Sequence, residues 1–180
     1  NCRPRDSYFD WYEGLLSLIR EIALVGKPNL YGSCFGHNLI ALALGGQIGL
    51  NLNNKYILEI EQLKTNKEFY DCFSSISPLE NLNENYSVIS THEDCVLELP
   101  DTATLLGSTV HCENHLYITG KNRNILACQS HPEFNNFLQY AVMDRIWVSI
   151  VNKRKCLSAE EIAHSRQSFE RYSTSDSTLL

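Results

Sequence analysis

No apolar run in this sequence is long enough to cross a bilayer: the longest, Leu39 to Leu44, is far short of the ~20 residues a spanning helix needs. A sustained basic stripe is missing too. With 15 Lys and Arg against 21 Asp and Glu the net charge is −6, so neither nucleic acid nor an anionic membrane surface is an expected partner. No C-x-x-C pair occurs. The seven cysteines (Cys2, Cys34, Cys72, Cys95, Cys112, Cys128 and Cys156) are odd in number and scattered, which indicates neither a disulfide framework nor a zinc cluster and favours a reducing, cytoplasmic compartment. Internal repeats and low-complexity blocks are also absent, and nothing before Asp6 resembles a signal peptide. The first residue is Asn1 rather than methionine, so the chain reads as a fragment or as a protein whose true start lies upstream.

What is present is an ordinary globular composition, 43% apolar and 20% charged. Its length suits one domain, expected over residues 1–172, followed by a polar, frayed tail over 173–180. Asp6 or Ser7 suits a helix cap. Tyr8, Trp11, Tyr12, Leu15, Ile19 and Ile22 then recur at helical spacing until Gly26 and Pro28 stop them. A short strand, Asn29 to Tyr31, leads into Gly32-Ser33-Cys34-Phe35-Gly36 and a buried helix over Leu39 to Leu44. Strands are expected at Lys55–Ile60, Tyr86–Ser90, Leu105–Thr109, His115–Thr119 and Ile125–Gln129, with a short helix at Lys67–Phe73 and a hairpin turn around Gly120, Asn122 and Asn124. Phe137 to Ile150 is spaced for a long amphipathic helix, and Ser158 with Glu161 forms a capping box for a last one. Helices at both ends with strands between imply an α/β sandwich.

Two segments carry chemistry. Gly32-x-Cys34-x-Gly36 between a strand and a helix has the form of a nucleophile elbow with cysteine in the serine position. Small residues two positions to either side relieve crowding at such a turn. The helix N-terminus favours a thiolate and so lowers the cysteine pKa, and the N–H of Phe35 is placed to meet a developing oxyanion. The plain alternative is a buried cysteine in a glycine turn. The second segment is the apolar strand Ile125–Gln129, which empties into Ser130-His131-Pro132-Glu133-Phe134. A cysteine nucleophile needs a base and a carboxylate that orients it, and residues 131 and 133 project from one sheet edge. Taken alone, His131 and Glu133 read equally as a loop histidine and a solvated carboxylate.

Together, Tyr31 to Gly46 and Gln129 to Phe134, about a hundred residues apart, resemble the nucleophile and histidine–glutamate segments of class I glutamine amidotransferases. Ser90-Thr91-His92-Glu93-Asp94 and the stretch from Val96 to Leu105 look like the family's intervening region, so the resemblance covers roughly residues 7 to 140. It is nearest to the stand-alone branch that includes γ-glutamyl peptide hydrolases.

The resemblance implies a three-layer, flavodoxin-like α/β fold with a mostly parallel central sheet, its N-terminal strands missing here. It also implies hydrolysis of a glutamine or γ-glutamyl amide through a cysteine thioester. By position, Cys34 is the nucleophile, His131 the base and Glu133 its orienter; Phe35, Asn38, Ser90, Thr91 and His92 are substrate-binding. Asn38 stands where the family usually has glutamine. Neither cofactor nor metal is implied, and His111, Cys112, Glu113 and His115 are set aside as a metal cluster because His111 and His115 straddle a turn into a strand. The partner is a small-molecule substrate, and a synthetase that receives ammonia would have to be a separate polypeptide. The alternative is a non-catalytic binding or regulatory module on the same fold.

Overall fold

The computed structural model describes residues 10–52, 54–75, 82–134 and 157–173. The first helix, α1 (Tyr12–Val25), buries Tyr12, Leu16, Ile19, Ile22 and Ala23, a stripe at spacings of three and four. Its buried face departs from the sequence expectation: Leu16 rather than Leu15 is fully inside, Trp11 is exposed ahead of the helix, and Tyr8 lies outside the described residues. Gly26 ends it in the left-handed region at φ 79°, where its N–H donates to Ile22 O at 2.9 Å. Then come β1 (Leu30–Ser33), α2 (Phe35–Ala43), β2 (Gln47–Leu50), β3 (Ile57–Thr65), α3 (Lys67–Phe73), β4 (Asn85–His92), β5 (Asp94–Glu98), β6 (Thr104–Ser108), β7 (Leu116–Thr119), β8 (Ile125–Cys128) and α4 (Ala159–Ser173). Asn66 caps α3 by accepting from Phe69 N at 3.1 Å. The capping box of α4 is formed as expected: Ser158 N donates to Glu161 Oε2 at 2.8 Å, and Glu161 N to Ser158 Oγ at 3.2 Å. The expected helix over Phe137–Ile150, the cap at Asp6 or Ser7, and the tail beyond residue 173 lie outside the described residues.

Six strands form one sheet in the order β1-β8-β7-β6-β3-β4, and β2 pairs with β5 in a separate ribbon. The fold is α/β as expected, but the sheet over the described residues is mixed rather than mostly parallel. β1 and β8 run parallel, Leu30 opposite Ile125 through Ser33 opposite Cys128. The other pairings are antiparallel. The reason is connection length: β6, β7 and β8 follow one another through short turns, which can only reverse the chain. The β2–β5 ribbon was not expected, because Gln47–Leu50 is short and does not alternate in polarity.

The sheet separates two cores, and strand alternation shows it directly. Ile125 and Ala127 of β8, with Tyr117 of β7, face α1 and α2. Leu126 and Cys128 of β8, with Leu116 and Ile118 of β7, face the opposite side, where Phe69 of α3 packs with Leu63, Tyr86, Val88 and Leu106. This is the three-layer arrangement.

His37 on α2 sits fully buried in the first core, its Nδ1 3.0 Å from Asn38 Oδ1 and its Nε2 2.8 Å from Asn114 O. Burial holds its pKa down to about 4, with His92 and His115 the titratable groups that face it. An imidazole that stays neutral when folded, yet protonates near pH 6.5 when unfolded, stabilises the unfolded chain as acid is added. His37 therefore removes up to about 3 kcal/mol between pH 6.5 and about 4. Urea midpoints measured across that window should fall steeply in the natural chain and less steeply in His37→Asn.

Candidate active site

The site begins where β1 ends. Cys34 holds φ 47° and ψ −97°, a conformation a side-chain-bearing residue rarely adopts, and α2 starts at the next residue. Two backbone bonds hold it there: Cys34 N donates to Cys128 O at 2.9 Å, and its carbonyl accepts from Asn38 N at 3.1 Å. Close approach explains Gly32, because a Cβ there would meet Ile40 Cδ1 and lie 2.8 Å from Gly36 C and 2.9 Å from Gly36 O. Gly36 is different: a Cβ there would have no neighbour within 4 Å, so only the first glycine of the motif is sterically required.

The parallel β1–β8 pairing brings the second segment alongside. β8 ends at Cys128, and the chain continues through Gln129 and Ser130 to His131, whose amide donates to Ile89 O of β4 at 2.9 Å. His131 Nδ1 lies 2.7 Å from Glu133 Oε1, and its ring stacks on Phe134 with centroids 4.5 Å apart. A carboxylate at Nδ1 selects the tautomer with the proton on that nitrogen and leaves Nε2 with a lone pair. Ser33, immediately before the cysteine, ties the two segments together. Its hydroxyl is 3.0 Å from Ser130 O and 3.3 Å from both Glu133 carboxylate oxygens.

The Cys34 sulfur itself contacts Thr91 O at 3.7 Å and Gln129 Nε2 at 3.8 Å; His131 is not among its hydrogen-bond partners. Burial is the main influence on the thiol and pushes its pKa up to about 12. The Phe35 N–H and Gln129 pull it down, while Glu133 and Cys128 push it up. The lowered thiol pKa expected from the helix N-terminus is thus not found, because desolvation outweighs the helix-end amides. Alkylation of Cys34 by iodoacetamide, followed by peptide mass mapping, should accordingly be slow near neutral pH. It should climb about tenfold per pH unit as the thiolate fraction grows.

The other sequence-predicted residues divide by strand alternation. Thr91 presents its carbonyl to the sulfur, and its hydroxyl pairs with Tyr56 OH at 2.7 Å. Ser90 and His92 lie on the opposite face of β4 and are buried, with His92 Nε2 3.9 Å from Glu61 Oε2. Asn38 is buried as well, its amide nitrogen 3.4 Å from Asp94 O and its oxygen beside His37. Sequence reasoning assigned no role to Gln129, Ser33 or Tyr56. Gln129 is fully buried, its backbone N–H donates to His115 O at 2.8 Å, and its Oε1 has no hydrogen-bond donor. The signal that could have found it was its place directly after an apolar strand and before the histidine.

An α/β sheet thus carries Cys34 on a strained strand-to-helix turn, near a histidine–carboxylate pair just past the end of the neighbouring parallel strand, an arrangement with the backbone form of a nucleophile elbow. Residues 3–143 match the family model for the class I glutamine amidotransferase, and the chain belongs to that family. It is 30% identical over 147 residues to γ-glutamyl peptidase 3 of Arabidopsis thaliana, covering 79% of this chain and 56% of that protein. It is 29% identical over 113 residues to one subunit of the glutamine-hydrolysing GMP synthase of Methanocaldococcus jannaschii, covering 63% of this chain and 55% of that one. The crystal structure of a glutamine amidotransferase from Thermotoga maritima superposes with a TM-score of 0.66 at 20% identity, over 95% of this chain and 73% of that one, which supports the fold. The chain spans 52–60% of the length of the first γ-glutamyl peptidases it matches. None of the described helices is long and apolar enough to cross a membrane.

Proposed function

We propose that the protein to which this chain belongs hydrolyses a γ-glutamyl amide bond, either in glutamine or in a γ-glutamyl peptide, through a thioester on Cys34. The observation that carries the reading is the strained elbow at Cys34, laid by the β1–β8 pairing beside a His131–Glu133 pair separated by 2.7 Å. The proton balance follows from the tautomer. His131 Nε2 takes the Cys34 proton as the sulfur attacks the amide carbon, and the resulting imidazolium gives that proton to the departing amine. Water then cleaves the thioester with His131 again as base. Glu133, itself held by Ser33, stabilises the imidazolium in both steps. The Phe35 N–H, already directed at the sulfur, would donate to the oxyanion. A thiol that rests protonated fits general-base activation during attack better than a preformed ion pair.

γ-Glutamyl peptidases among the relatives favour a peptide substrate. If glutamine is the substrate instead, ammonia would pass to a synthetase, a role suggested by the resemblance to GMP synthases. The raised pKa of the Cys34 thiol is compatible with a non-catalytic binding module as well.

The test is treatment of the full protein with 6-diazo-5-oxo-norleucine, an electrophile shaped like glutamine, and mass mapping of the product. A single adduct on Cys34, lost in His131→Ala, is expected. Protection by γ-glutamyl peptides but not by glutamine would select the peptidase reading, and a folded protein that forms no adduct would leave the binding module.

A further inference from the structure

A second cluster of chemistry lies outside the cysteine site. Glu59 and Glu61 project from the same face of β3 by the two-residue period of a strand. His111, from the segment between β6 and β7, and His164, from α4, meet them: His111 Nε2 is 2.8 Å from Glu59 Oε1, and His164 Nε2 is 2.6 Å from Glu59 Oε2. One ligand atom each of Glu59, Glu61 and His111 lies within 4.8 Å of the others. Glu61 is the buried member, its side chain 4% exposed. Its Oε1 takes only a 3.4 Å contact from the His111 N–H. Its Oε2 receives no hydrogen bond within 3.5 Å, and His92, with Nε2 3.9 Å away, and Ser90 are the groups beside it that stabilise the carboxylate. Two carboxylates at this separation repel unless a positive charge sits between them, and a buried carboxylate oxygen without a donor is costly. The cluster opens to solvent, since Glu59, His111 and His164 line both of two adjoining hollows of about 520 Å³ each.

We propose that Glu59, Glu61, His111 and His164 form a binding site for a divalent transition-metal ion of the zinc type. Two imidazole nitrogens and two carboxylate oxygens make a borderline donor set suited to zinc and too rich in nitrogen for calcium or magnesium. Bonds of about 2.0–2.2 Å in a tetrahedron place donors about 3.4 Å apart. The ion therefore enters by opening the two contacts to Glu59, and His164, with its side chain 70% exposed, is the ligand with room to swing. The ion adds a positive charge between Glu59 and Glu61 and a further partner for the buried Glu61 carboxylate. It also ties α4 to β3 through a bond from each, so it acts as a clamp on the last described helix. The site uses neither Cys34 nor His131, and it stands or falls separately from the hydrolase reading.

The test uses the full chain without an affinity tag, stripped of metal and titrated with Co(II) and then Zn(II). Saturable binding of one ion is expected, with the visible bands of tetrahedral Co(II) and a rise in Tm. X-ray absorption on the zinc form should show nitrogen and oxygen neighbours near 2.0–2.1 Å and no sulfur at about 2.3 Å. Glu59→Gln should abolish binding. His164→Ala, at an exposed position, should weaken it at least about tenfold and keeps the question answerable if Glu59→Gln fails to fold. No saturable binding, a sulfur neighbour, or unchanged affinity in His164→Ala would overturn the proposal.

Discussion

Replacing Cys34 with alanine should lower turnover of a γ-glutamyl amide by about 10⁴-fold or more, while the protein still folds and still binds substrate. The size follows from the role: removing a covalent nucleophile leaves only substrate positioning and oxyanion stabilisation, the small residue of rate that acyl-transfer enzymes retain when their triad is broken. Cys34→Gly should be equally inactive but more stable than the natural chain. At φ 47° and ψ −97° any side chain is strained, at a typical cost of 1–3 kcal/mol, and glycine relieves this against an entropic loss of roughly 0.5–1 kcal/mol. A net gain of about 1 kcal/mol in urea unfolding, paired with lost activity, is the mark of a residue kept for chemistry at the expense of the fold. Activity of the substituted protein within tenfold of the original would remove Cys34 from the mechanism.

The second large effect is structural and falls on Gly32. A methyl group there would meet the Ile40 side chain, which can rotate, and the Gly36 backbone at 2.8–2.9 Å, which cannot move without unwinding the first turn of α2. Gly32→Ala should therefore cost about 3 kcal/mol, at the upper end of ordinary overpacking. It should also displace Cys34 from its place beside β8. Gly36→Ala is the control. With no atom within 4 Å of the added carbon and a helical position, it should be neutral or stabilising by several tenths of a kcal/mol. Equal unfolding midpoints for the two variants would show that the elbow is not crowded as described.

Much of this could be read along the chain. The α1 stripe, its stop at Gly26, the α4 capping box and α3 with its bounds all depend on residues within a few positions of each other, so periodicity and cap chemistry suffice. The elbow was legible for the same reason: Gly32, Cys34 and Phe35 are neighbours in sequence. The β2–β5 ribbon was not legible, because four-residue strands have too little pattern to reveal a partner about 50 residues away. Asn38 shows the same limit within a recognised motif. Its place in the motif was clear, but neither its position inside the helix, which was expected to start at Leu39, nor its burial against Asp94 O was.

Local sequence thus settled which residues could carry chemistry, because turns, caps and helix faces are made by adjacent side chains and need no knowledge of the rest. Folding settled what those residues do to one another. Burial, not the helix end, governs the Cys34 thiol, since desolvation depends on everything packed around the sulfur. Similarly, Glu59, Glu61, His111 and His164 come from three separate stretches of chain, and only the packing of α4 and the residues after β6 against β3 makes them neighbours.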